Sequence, residues 1–323
     1  MKTIVNCKHV KPNKGTMLFS DLMQQEGQTL EPEFERLFQL VVANQHHSGD
    51  LILLQENGSY DPSVLDFSGP KLNPHVIGPG RIGWAYFTHY QFINWYRQTH
   101  MAKVSRVEWL AKIEELTQAQ NWEERDKFYE LEAGTIHLET LIYLKVWESD
   151  YIIKTLYEFV RLLEGKPYDW YFKVKESARD TEGTATRQDI IRKHIRNKLE
   201  SLSPILFNAV KASYLTQLRN SIAHSYFIFQ SDYMQLGNDI ANDPHSQLIA
   251  ISFSEWADKF HKTMMIYNGV IGILNRARQY NHELLERQNN IAEVFVTDIR
   301  PGKGTYTLQV VYDPDFKRFS YAQ

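Results

Sequence analysis

The stretch LTQLRNSIAHSYFIF (residues 215–229) gathers side chains suited to moving protons around a phosphate. Arg219 and His224 are separated by four residues, Asn220 directly follows the arginine, and Tyr226 lies two residues beyond the histidine. Cleaving RNA without a metal needs a base for the 2′-hydroxyl, charge stabilisation at phosphorus and an acid for the departing 5′-oxygen. Histidine, with an ordinary pKa of about 6.5, suits both proton transfers. Arginine stays charged, and its planar fork binds two phosphate oxygens. Asn220 stands one helical turn before His224, so the two share a face, and the amide is placed to orient the imidazole or to hold phosphate. Arg219 and His224 are five apart and diverge by about 140° on an ideal helix. A bend in the helix, a swing of the long arginine, or a second copy of the chain completing the site would each bring them together.

Spacing alone carries little weight. With 16 arginines and 12 histidines in 323 residues, Arg followed by His after four to six intervening residues is expected roughly 1.8 times by chance. Arg187/His194 and Arg276/His282 also match. Only Arg219 has asparagine directly after it, a small apolar lead-in (Ile222-Ala223) to its histidine, a downstream tyrosine and an apolar helix before it. With these additions the segment resembles the HEPN superfamily, whose ribonucleases carry this Arg, polar residue and His. In the Arg-x4-His-x-Tyr form it resembles HEPN toxins paired with a nucleotidyltransferase antitoxin. The resemblance covers the motif and the helical layout of about 135–290.

The resemblance implies a metal-independent endoribonuclease leaving 2′,3′-cyclic phosphate ends, with Arg219, Asn220 and His224 as catalytic residues. It implies a homodimer with two facing motifs and no cofactor. It also implies an RNA substrate, a nucleotidyltransferase-type antitoxin as partner, and a toxin or antiviral abortive-infection role in a prokaryotic cytoplasm. Tyr226 is either a base-stacking platform, a nucleotide acceptor by resemblance, or a packed tyrosine. The rival function is a non-catalytic module of the same fold that binds RNA, a nucleotide or a protein. The bland reading is that Arg219 and Asn220 cap helix carbonyls.

The basic stretch 187–200, with Arg187, Arg192, Lys193 and Arg196, is an RNA-backbone candidate; interspersed Asp189 and Glu200 fit a solvated face instead. Glu148 and Asp150 are candidates to pair with Arg219. Gly78-Pro-Gly80-Arg-Ile-Gly83 has the glycine spacing of a dinucleotide loop but no clear preceding strand and no surrounding βαβ unit. His46-His47 with Asp50 lacks further metal ligands, and no metal is expected.

The elements that must position these residues read as mainly α: a HEPN-like helical bundle with a small α/β N-terminal extension and a C-terminal β-hairpin. The expected segments are the extension (1–83), a helical connector (84–134), the HEPN-like domain (135–290) and the hairpin with its tail (291–323). Strands are expected at 1–10 and 51–55, a helix at 31–45 and a loop at 57–83. Helices are expected at 84–103, from the Ser105/Glu108 capping box to about 118, and from Asn121 to a stop at Gly134. Others are expected at 135–163, 187–200 and from Ser203-Pro204 past Ile222. After a polar loop at 231–247, the Ser252/Glu255 box opens a last helix ending near 288. Periods of two over 292–299 and 305–312 flank a turn.

Composition excludes other classes. Apolar residues at 43% and charged ones at 23% fit a globule rather than a disordered chain. A formal charge of -3 confines any nucleic-acid site to a local patch. Cys7, the single cysteine, forms no internal disulfide and fits a reducing compartment. No apolar run of about 18 residues occurs, so no membrane span is expected.

Overall fold

Helical periodicity dominates the chain because its large apolar residues recur every three to four positions. The computed structural model describes residues 18–63, 73–78, 80–243, 246–298 and 302–322. The expected strand at 1–10 lies outside them. The architecture is mostly helical with small sheets, the last being a C-terminal three-stranded antiparallel sheet.

Helix α1 (Ser20–Asn44) buries Leu30, Phe34, Leu37, Phe38 and Val41. It starts well before the expected 31 and carries Pro32 inside it. Residues 51–55 are not a strand but part of α2 (Asp50–Glu56), a helix with Leu51 to Leu54 all buried. A short apolar run buried on every side looks the same in either state, and here the left-handed Asn57 ends it. Strands β1 (Ser59–Tyr60) and β2 (His75–Val76) pair within the expected loop, and α3 (Gly80–Thr99) begins before its end.

Helix α4 (Arg106–Gln118) opens on the complete Ser105/Glu108 capping box. Helix α5 (Trp122–Trp147) runs straight through Gly134, where a helix stop was expected. Glycine in a helix costs only about 1 kcal/mol, and buried Glu132, Thr135 and Ile136 hold both sides of it. The break falls later: Glu148 caps α5, and the Ser149 side chain accepts from the Ile152 amide to start α6 (Asp150–Leu163). The expected 135–163 helix is therefore two.

After the bridge β3 (Val174–Lys175) to β4 (Ala185–Thr186), the basic stretch is helical but not uniform. It comprises α7 (Arg187–Asp189), a π-helical turn (Ile190–Arg196) and α8 (Asn197–Leu202). The expected helix from 204 past 222 is also interrupted. Helix α9 (Pro204–Ser213) ends at extended Tyr214, and α10 (Thr216–Ala223) comes next. The hydroxyl of buried Tyr143 fills the break: it donates to the Ser213 carbonyl (3.0 Å) and accepts from the Leu215 amide (3.4 Å).

Strands β5 (Phe227–Gln230), β6 (Tyr233–Leu236) and β7 (Ala250–Ser252) form an antiparallel sheet in sequence order, so β6 occupies part of the expected 231–247 loop. The Ser252/Glu255 box opens α11 (Phe253–Glu286), which packs along α1. Gly269 lies against the Phe34 ring, where a Cβ would collide with it. The tail is β8 (Ile291–Asp298) and β9 (Gly304–Asp313), as expected, with an unexpected third strand, β10 (Arg318–Tyr321). One hydrophobic cluster takes in residues from all four expected segments, from Leu18 to Phe319.

Within that cluster, fully buried Glu139 accepts from Trp256 Nε1 (2.6 Å) and Tyr96 Oη (2.9 Å). Burial pushes its carboxyl up to about 7, against the pull of both donors. The unfolded chain releases that proton near 4.5, so between those values the native state binds more protons and Glu139 loses stabilising effect as pH rises. Buried His261, lowered to about 4, tilts stability the other way below about 6.5. A comparison of variants therefore isolates the carboxyl. Relative to Glu139→Gln, wild-type stability should fall from pH 5 to pH 7 in urea titrations; an unchanged difference contradicts this.

Candidate functional site

The motif sits on α10, whose last turn is fixed by backbone bonds. The Tyr226 amide donates to the Ser221 carbonyl (2.8 Å) and the Ser225 amide to that of Ile222 (3.2 Å), with Ser225 at φ 57°. This is the paired bonding of a left-handed helix ending, here on serine rather than glycine. His224 is the C-cap residue, and its amide donates to the Asn220 carbonyl (3.0 Å). The Ser221 hydroxyl donates to the Tyr226 carbonyl. His224 is consequently exposed on an ordered turn, with its ring centroid 6.2 Å from that of Tyr226.

Asn220, His224 and Tyr226 line one open cleft of about 440 Å³. Gln188 and Arg192 border it, and Asn238, Ile240 and Asp243 form the far wall. Buried Gln217 ties that wall to α10. Its side chain donates to the Leu248 carbonyl (2.7 Å) and accepts from the Leu248 amide (2.9 Å). The Asn238 side chain donates back to the Gln217 carbonyl (2.9 Å).

Arg219 takes a different direction. Its Nε lies 2.5 Å from the Glu148 carboxylate, and its Nη1 donates to Asn220 Oδ1 (2.8 Å). The side chain does not line the cleft with His224. The divergence around the helix thus persists within one chain; Asn220 accepts from Arg219 and itself lines the cleft of His224. Of the two acidic candidates, Glu148 pairs with Arg219, whereas Asp150 pairs with Arg187 (2.9 Å), which also reaches Glu176.

The basic stretch divides. Arg187 and Lys193 are neutralised, the latter by Asp189 at 3.0 Å. Arg192 borders the motif cleft, and Arg196 lines the neighbouring one. Gln217, Asn238 and Gln188 carried no sequence signal, because their role depends on loops folding back across α10. The described residues contain no group of three or more His, Cys, Asp or Glu that could hold a metal ion. Among them, no helix is long and apolar enough to cross a membrane. His47 instead stacks on Phe295 with centroids 4.0 Å apart.

An exposed imidazole, an amide one turn away and a nearby guanidinium can together exchange a proton and bind a phosphate. Comparison with protein-family models, curated proteins and solved structures finds no match.

Proposed function

We propose that the chain is a metal-independent endoribonuclease of the HEPN type, acting as a toxin or abortive-infection effector. The observation that carries this reading is the shared cleft of Asn220 and His224, with Arg192 at its rim. His224 serves as general base or acid, Asn220 orients it or the phosphate, and the arginines offset the charge that develops at phosphorus.

Two copies facing across the motif would bring a second Asn220, His224 and Arg219 to one phosphate. The surface around the cleft supports such a contact. Tyr226 and Ile240, which line it, are each more than half exposed, an apolar pair suited to an interface centre.

A second reading, a non-catalytic module that binds RNA in the same cleft, is favoured by the turn of Arg219 toward Glu148. Incubation with a mixed RNA pool in EDTA separates the two. The nuclease reading expects full cleavage in EDTA, cyclic phosphate ends and an intact DNA copy, which lacks the attacking 2′-hydroxyl. Cleavage that requires added Mg²⁺ or Mn²⁺ overturns the mechanism, and binding without cleavage selects the module.

A further inference from the structure

Beside the motif cleft lies a larger one of about 640 Å³. The two share Arg192, Thr216 and Gln217, so they adjoin along α10. The second is lined by Arg196 and Lys211, with Phe207 and Tyr214 among its apolar residues.

We infer that this second cleft is a backbone subsite for single-stranded RNA, in which Arg192, Arg196 and Lys211 hold the phosphates of the strand continuing from His224. The polymer's identity rests on the ribonuclease reading; the geometry of the cleft does not.

Charge pairing carries the argument. Arg187, Lys193 and Arg219 each lie against a carboxylate. Arg192, Arg196 and Lys211 form no salt bridge with a carboxylate among the described residues, yet all three line this one concavity. Arg192 and Arg196 come from the same π-helical turn. Arg196 donates to the neutral Asn197 Oδ1 (2.9 Å), and burial and the charge of Arg192 disfavour its charged form, with Glu200 and Tyr214 pulling the other way. Like charges held together in a partly desolvated groove are unfavourable until an anion joins them. A chain of phosphates supplies one anion per residue and fits a groove that continues into the motif cleft. A basic groove with aromatic residues is how single strands are tracked without reading sequence. The ring of half-buried Phe207 lies 5.5 Å from the Lys211 ammonium.

The test is fluorescence anisotropy with a labelled 2′-O-methyl RNA of about ten nucleotides, which binds but lacks the nucleophile. Each phosphate contact on a single strand contributes about 0.7 to the slope of log affinity against log salt. Arg196→Gln/Lys211→Gln should flatten that slope by about 1.4, and exposed Lys211→Gln alone by about 0.7. Affinity at low salt should drop about tenfold or more in the double variant. Lys112→Gln on α4, already paired with Glu115, should match wild type. A double variant with wild-type slope and affinity overturns the subsite, as does a wild type that binds no RNA. If wild-type protein binds with the expected slopes but cuts no RNA, the subsite stands and the nuclease reading falls.

Discussion

His224→Ala should lower RNA cleavage by about 10²–10⁴-fold while leaving the unfolding transition nearly unchanged. The imidazole is exposed, and what holds its residue in the helix ending is backbone bonding that alanine retains. Surface substitutions of this kind ordinarily shift stability by about 0.5 kcal/mol or less. Single-turnover cleavage and a thermal melt on the same preparation read the two effects separately. Undiminished cleavage by the variant removes His224 from the mechanism; a collapsed melt makes it a structural residue.

Arg219→Ala should cost about 10²–10³-fold in cleavage, the effect of removing one charge-stabilising donor. Its partly exposed pairing with Glu148 contributes about 1 kcal/mol at most, so the variant should stay folded. A mixing experiment decides where the arginine acts. If one chain's arginine serves the other's histidine, a heterodimer of Arg219→Ala with His224→Ala keeps one of the two arginine–histidine pairs of the composite site intact. Equal mixing after subunit exchange would then restore about a quarter of wild-type activity. No recovery places Arg219 and His224 of the same chain in one site, which requires the guanidinium to leave Glu148.

The sequence made local features legible wherever the cause was local. Both capping boxes, and with them the starts of α4 and α11, followed from serine and glutamate three residues apart. The one-turn relation of Asn220 to His224 also survived, because it depends only on helical spacing. What failed was set at a distance. The end of α9 is stabilised by the hydroxyl of Tyr143, 70 residues earlier in the chain. Gly134 did not stop α5, because neighbouring side chains were already committed to the core. The direction of Arg219 was likewise a choice between unlike partners, and the sequence placed both Glu148 and Asp150 within consideration. Arg187 takes Asp150, which leaves Glu148 for Arg219. The left-handed Ser225 was invisible because that conformation ordinarily announces itself with glycine.

The π-helical turn at Ile190–Arg196 has a consequence for how such a chain evolves. A π turn holds about one residue more than an α turn. In this one, Ile190, Ile191 and Ile195 are buried while Arg192 and Arg196 face the grooves. Deleting one residue between Arg192 and Arg196 lets the segment take an ordinary α path, which absorbs the deletion with little rotation of the helix beyond it. The two arginines would keep their side of the segment, three positions apart instead of four. The turn is thus a place where a chain of this kind can gain or lose one residue without unpacking the helices on either side and without changing its count of arginines.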